Sequence, residues 1–184
     1  KLGILALLHE KYGITEADLR TAELSAVPAQ KAVDVGFDAS MIAAYGQDDR
    51  VCAYPSLTAL FETKAPARTC VVVLADKEEI GSEGVTGLRS AALAHFLTSL
   101  CENRGADYKT CFAASDCLSA DVGGAYDPCY AEAYEAGNSA YLNHGVAVMK
   151  YTGARGKSGS SDASAELLAK LARIFRENDV VWQT

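Results

Sequence analysis

The chain has 184 residues, of which 49% are hydrophobic and 22% charged, with a formal net charge of −7 and a pI near 5.0. This composition is typical of a soluble globular chain that is long enough to bury one sizeable core. The acidic balance and the scattered basic residues argue against nucleic acid as the main partner. The apolar stretches are much shorter than the ~20 residues that a membrane-spanning helix needs, so no membrane partner is expected.

The first half of the chain predicts helices separated by an irregular segment. Residues 2–12 have the pattern of a short helix that ends at Gly13, and Thr15 has the position of an N-cap for a second short helix. Residues 22–38 fit strand and loop, and residues 48–63 fit a helix.

In the second half, predicted strands alternate with predicted helices. The β-branched run at 69–76, "TCVVVLAD", predicts a strand buried on both faces, as in a parallel sheet. The pattern predicts further strands at 109–117, 145–152 and 180–184, and helices at 86–102 and 162–178. We therefore expect an α/β fold with a mostly parallel central sheet flanked by helices, in which ligands bind beyond the carboxyl ends of the strands.

Acidic residues collect at the ends of these predicted elements. They are Asp48 and Asp49 at the start of a helix, Asp76, Glu78 and Glu79 after one strand, and Asp116 and Asp121 after the next. Each group has an ordinary structural explanation as a helix cap, a solvated loop or a turn. Together they also fit a dinuclear zinc site, because two divalent cations neutralise carboxylates that would otherwise repel one another.

The numbers and spacing of cysteines and histidines limit the kinds of metal or redox site that this chain can form. The six cysteines form no C-x-x-C pair, which predicts reduced thiols in a cytoplasmic protein. With only three histidines, a metal site in this chain has to depend mainly on carboxylates. His144 has no second histidine nearby, and it also fits a loop or core role.

The segment 151–162, "YTGARGKSGSSD", offers an alternative function. It follows a predicted strand and precedes a predicted helix, as a phosphate-binding loop does. The phosphate-loop motif requires Gly at position 151, where this chain has Tyr151. A phosphate-binding α/β protein is therefore the less favoured alternative.

Several segments resemble, in order, the aspartyl-aminopeptidase-like family of dinuclear zinc aminopeptidases, and in particular its bacterial aminopeptidase 1 branch. They are "YGQDDRVCAY", "LADKEEIGSEGVTG", "SADVGGAYDP", "LNHGVAVMKYTGARG" and "ENDVVWQT". The resemblance covers essentially the whole chain, and "DKEEIGSEG" is its most specific part. It implies a hydrolase that removes N-terminal residues, often acidic ones, from peptides, with two zinc ions as cofactors. Carboxylate-rich sites also accept cobalt or manganese.

The resemblance also implies residue roles. Asp49 would bridge both zinc ions, Glu79 would bind one ion and Asp121 the other. Glu78 would act as the catalytic general base, and His144 is a weaker candidate for substrate contact. Asp48 stands where the family is variable, so the prediction leaves it outside the site.

The resemblance implies a zinc-exopeptidase-like catalytic core that is truncated in this chain. Residues 1–38 would be the end of an inserted, β-rich assembly domain, and residues 39–184 part of the catalytic α/β domain. The family uses two zinc-binding histidines that have no counterpart here, so we expect the chain to be incomplete and inactive alone. The family commonly forms homo-oligomers, and a non-catalytic assembly module is the second hypothesis for this chain.

Overall fold

The computed structural model describes residues 1–76, 82–85, 87–154 and 158–184. The helices are α1 (Leu2–Tyr12), α2 (Glu16–Leu19), α3 (Gln47–Glu62), α4 (Ala91–Glu102), α5 (Tyr108–Ala113) and α6 (Ala165–Glu177), with short 3₁₀ helices at Pro128–Ala133 and Ala136–Asn138. The strands are β1 (Val33–Val35), β2 (Met41–Ala43), β3 (Val146–Ala147), β4 (Tyr151–Ala154), β5 (Ser158–Asp162) and β6 (Trp182–Gln183). The chain divides into two compact units, Lys1–Gln47 and Asp48–Thr184.

The first unit begins with two helices whose ends follow from local chemistry. Gly13 adopts a left-handed conformation with φ 70°, and its N–H donates to the His9 carbonyl, which ends α1. Thr15 and Asp18 form a reciprocal capping box at the start of α2. Both helix boundaries agree with the sequence prediction. Farther along this unit, β1 and β2 pair antiparallel, with Val33 opposite Ala43.

In the second unit, side-chain caps define where the helices start. Ser90 accepts a hydrogen bond from the Ala92 N–H at the start of α4, and Asp107 accepts one from the Thr110 N–H at the start of α5. Ser164 caps α6 by accepting from the Leu167 N–H. Each of these caps is worth about 1 kcal/mol, and α4 and α6 lie within the helices predicted at 86–102 and 162–178.

Two predicted strands are wrong. Residues 69–76 form no strand, and residues 108–113 form helix α5 instead of part of a strand at 109–117. A strand requires a neighbour for its N–H and C=O groups, and within the described part of the chain nothing pairs with 69–76. At 108–113, the Asp107 cap favours a helix over the short apolar run.

The predicted parallel central sheet is only partly supported. The described residues form two-stranded pairs: β1–β2 and β4–β5 are antiparallel, and β3–β6 is parallel, with Val146 opposite Trp182. The β4–β5 hairpin also removes the basis for a phosphate-binding loop, since such a loop joins a strand to a helix. Residues 155–157 of that loop lie outside the described residues.

Helix α6 is tied to the segment that follows α5. Lys170 forms an ion pair with Asp116, which holds the pKa of the Asp116 carboxyl below its usual value. Arg68 donates to the Ala114 carbonyl from another part of the chain at 2.9 Å. Asp116, one of the acidic residues singled out by the sequence, therefore has a structural partner.

The described residues bury no core. None of them is fully buried, and many of the half-buried positions lie on helices α3, α4 and α6. The chain exposes 15588 Å², whereas a folded monomer of this mass exposes about 8,500 Å² by the usual scaling. No helix among the described residues is long and apolar enough to cross a membrane.

This open apolar surface predicts weak cooperativity for the isolated chain. We expect the 184-residue chain to bind the dye ANS and to lose its helical circular dichroism over a broad temperature range, because little apolar surface leaves water on folding. A sharp two-state melt without ANS binding would contradict this expectation.

Candidate metal centre

Three aspartates form the one cluster of potential metal ligands found among the described residues. One carboxylate oxygen each of Asp48, Asp49 and Asp121 lies within 4.8 Å of the other two, and all three residues are exposed. Asp48 and Asp49 precede the regular part of α3, and Asp121 lies in an irregular segment after α5. Asp49 and Asp121, which the resemblance assigned to one centre, are therefore neighbours in space.

Asp48 joins the cluster although the sequence prediction left it out. In a regular α-helix, successive side chains point about 100° apart, so Asp48 and Asp49 would diverge. Here both residues leave the helical conformation, Asp48 at φ −83°, ψ 108° and Asp49 at φ −115°, ψ 20°, and the peptide bond between them is cis. The sequence signal was the acidic pair itself, but the pattern could not show this backbone.

The electrostatics of the cluster favour a cation. Among the described residues, no lysine or arginine forms an ion pair with the three carboxylates. The Cys52 thiol lies beside the cluster and is affected by its negative charge. Burial raises the pKa of this thiol, and the nearby carboxylates of the cluster raise it further. A negative potential of this kind stabilises a bound positive charge.

The donor set fits a divalent ion. Carboxylate oxygens bind zinc at about 2.0–2.2 Å, so two oxygens on one ion lie up to about 4.4 Å apart. In the cluster, one oxygen of each carboxylate lies within 4.8 Å of the other two, so a small adjustment would bring all three onto one ion. The Val122 N–H donates to Asp121 Oδ1 at 2.7 Å, which leaves the second carboxylate oxygen available. The other two predicted site residues, Glu78 and Glu79, lie outside the described residues.

His144 lies in an aromatic group that borders the segment carrying Asp121. Its ring is 5.5 Å from Tyr141, whose ring is 5.2 Å from Tyr126. The Tyr126 N–H donates to the Ala140 carbonyl at 2.7 Å, which joins the segment after Asp121 to the loop with His144. These contacts link the loop that carries His144 to Tyr126, which follows Asp121 in the chain.

The loop that carries His144 is held against the C-terminal strand β6. The Gln183 side chain accepts from the Tyr141 N–H and donates to the Tyr141 and Gly145 carbonyls, at 2.8, 3.0 and 3.2 Å. Gly145 has φ +85°, and a Cβ there would lie 2.1 Å from the Val181 carbonyl oxygen. Only glycine therefore allows this close approach.

Comparison with known proteins places the chain among metallopeptidases. The family model for aminopeptidase I zinc metalloproteases (M18) matches residues 1–184. A probable M18 family aminopeptidase 1 from Clostridium acetobutylicum is 47% identical over 189 residues, and one from Thermotoga maritima is 40% identical over 188 residues. These matches include the whole of this chain but only 40% and 42% of the relatives, so the chain spans about two fifths of their length.

Solved structures agree with the sequence matches. The crystal structure of aminopeptidase I from C. acetobutylicum has a TM-score of 0.90 at 46% identity, over 98% of this chain and 40% of that one. The crystal structure of an M18 family aminopeptidase from T. maritima has a TM-score of 0.89 at 40% identity, over 99% of this chain and 41% of that one. The chain thus has the conformation of one part of these longer proteins.

The cluster predicts that Asp48 affects metal affinity. We expect Asp48→Asn to weaken zinc or manganese binding by roughly tenfold or more, because it removes one of three charges that face the ion. Asp116→Asn is the matched control, since Asp116 is paired with Lys170 away from the cluster. Isothermal titration of both variants checks this, and equal affinities for the two would argue against a role for Asp48.

A side chain at position 145 should disrupt the local structure, because its Cβ would clash with the Val181 carbonyl. Gly145→Ala should speed amide hydrogen exchange at Val146 and Val148, whose N–H groups donate to the Val181 and Gln183 carbonyls, by about tenfold or more. Gly123→Ala is the control, because a Cβ at Gly123 meets nothing within 4 Å. Equal exchange in both variants, measured by mass spectrometry at low temperature, would show that the contact is unimportant.

Proposed function

We infer that this chain, which belongs to the aminopeptidase I (M18) family of zinc metalloproteases, supplies part of the catalytic centre of an enzyme that removes N-terminal residues from peptides. The observation that supports this most strongly is a cluster of carboxylates that contains Asp49 and Asp121, two positions at which the family resemblance implies metal ligands. The activity is assigned to the whole protein, because the chain spans about two fifths of its relatives.

Each carboxylate has a proposed role in holding the metal. Asp49, Asp121 and Glu79 would hold the zinc, with Asp49 shared between two ions as the family resemblance implies. Asp48 adds negative charge beside Asp49 and is a further candidate ligand. Bound zinc supplies Lewis-acid chemistry: it lowers the pKa of a water molecule and polarises the peptide carbonyl.

Side chains of this chain carry out proton transfer and substrate binding. Glu78 takes a proton from the attacking water and returns it to the leaving amine, as a general base and then a general acid. An adjacent pair such as Glu78 and Glu79 can perform both roles, since one carboxylate can bind metal while its neighbour transfers the proton. His144 contacts the substrate from the loop clamped by Gln183.

The chain lacks part of the expected ligand set. The family resemblance requires two histidine ligands, and neither His9 in α1 nor His95 in α4 stands at the matching positions. We propose that these imidazoles, and the surfaces that cover α4 and α6, come from polypeptide beyond these 184 residues. The proposal extends to a cytoplasmic homo-oligomer with the domain boundary near residue 38, and cobalt or manganese can replace zinc.

A matched pair of glutamine substitutions tests the general base. In a full-length protein that carries this segment, Glu78→Gln should keep its zinc and lower kcat for aspartyl- and leucyl-anilides by about 10²–10⁴-fold, since it removes proton transfer alone. Glu83→Gln is the control, because Glu83 is exposed and paired with Arg89 in the same loop. Near-normal turnover in Glu78→Gln, with zinc retained, would contradict the assigned role.

A further inference from the structure

The Gln183 side chain joins the C-terminal strand β6 to the loop that carries His144. Its Oε1 accepts from the Tyr141 N–H at 2.8 Å, and its Nε2 donates to the Tyr141 and Gly145 carbonyls at 3.0 and 3.2 Å. The bonds reach backbone groups that lie 42 and 38 residues away in sequence. One side chain therefore holds the loop on both sides of His144.

The chemistry of an amide side chain matches these backbone groups. Only Asn and Gln combine a strong acceptor with two N–H donors in one group, whereas a carboxylate has no donor and Lys or Arg has no acceptor. The acceptor of Gln183 and its donor nitrogen both have partners here, and the residue is half-buried. An amide at position 183 can therefore make a set of bonds that other side-chain types cannot reproduce.

The backbone around His144 has little support of its own. Asn143 and Gly145, on either side of it, have left-handed φ angles of 63° and 85°. The local turn is closed by the His144 N–H, which donates to the Tyr141 carbonyl at 3.4 Å, a long distance for such a bond. Because Gln183 Nε2 donates to the same carbonyl at 3.0 Å, it provides the shorter of the two bonds to this carbonyl.

The His144 side chain itself is available to a ligand. His144 is exposed, and its ring stacks at 5.5 Å from the Tyr141 ring, whose backbone Gln183 holds. An exposed side chain on a fixed backbone loses less conformational freedom when it binds a ligand than one on a mobile loop. The position of this imidazole thus depends on the Gln183 bonds.

We propose that Gln183 is a positioning residue for substrate binding, which holds the loop 141–145 so that His144 meets the N-terminal part of a peptide substrate. The inference rests on the proposed function, in which His144 contacts the substrate, and it adds the residue that places this contact. Gln183 acts through the loop and does not itself touch the substrate. Its effect should therefore appear in substrate binding and not in the chemical step.

Hydrogen exchange at one amide tests the structural half of the proposal without any enzyme activity. In the 184-residue chain, Gln183→Met keeps the side-chain length but removes the acceptor, so the Tyr141 N–H should exchange about fivefold to tenfold faster. Gln30→Met is the matched control, because Gln30 is exposed and lies in the first compact unit. Unchanged exchange at Tyr141, measured by NMR at low temperature, would overturn the proposal.

Steady-state kinetics of a full-length protein that carries this segment test the role in binding. We expect Gln183→Met to raise KM for leucyl- and aspartyl-anilides about fivefold to tenfold and to leave kcat and zinc content unchanged. His144→Ala should raise KM by a similar factor. In the double variant, Gln183→Met should add little to the effect of His144→Ala, because Gln183 acts through His144.

The double variant separates positioning from a general structural role. An unchanged KM in Gln183→Met, or increases in KM that multiply when the two substitutions are combined, would overturn the proposal. A loss of kcat or of zinc in Gln183→Met would also overturn it, since the effect would then lie at the catalytic centre. Wild-type protein that hydrolyses neither anilide would instead contradict the proposed function, and with it the basis of this inference.

Discussion

Mutual repulsion among three carboxylates is the constraint on which the functional interpretation of this chain depends. Oxygens of Asp48, Asp49 and Asp121 lie within 4.8 Å of one another, and in the described residues no basic side chain is paired with them. Because all three residues are exposed, water screens part of this repulsion, and a bound cation would neutralise the remainder. The non-helical start of α3 and the segment around Asp121 make sense as parts of a cation site.

The second constraint is the shortage of buried apolar surface. Helix caps, the Gly145 contact and the Gln183 clamp specify local structure, but among the described residues no side chain is fully buried. The close match to crystal structures that are about two and a half times longer explains how this conformation is maintained.

The helices could be predicted from the sequence because their signals are local. Gly13, Thr15 and the apolar pattern of residues 165–177 each specify an end or a face without reference to distant residues. The strands could not be predicted equally well, since a strand exists only where a partner supplies its hydrogen bonds. The run at 69–76 looked like a central strand but has no partner in the described part of the chain, and 108–113 became helical through its Asp107 cap.

The candidate site was predicted in part. The family resemblance placed Asp49 and Asp121 in one centre, and the structure brings them together. It left Asp48 outside the site, and the proximity of Asp48 to the other two depends on a backbone conformation that a residue pattern does not encode. The sequence also grouped Asp116 with the acidic residues of the site, whereas its pairing with Lys170 gives it a structural role.

Paramagnetic broadening by manganese is the most direct test of the metal centre. One Mn²⁺ bound at the cluster should broaden the NMR signals of residues next to Asp49 and of residues next to Asp121 together, at the same metal concentration. Broadening confined to one of the two segments, or spread evenly over all acidic residues, would show that the aspartates do not form a shared metal site.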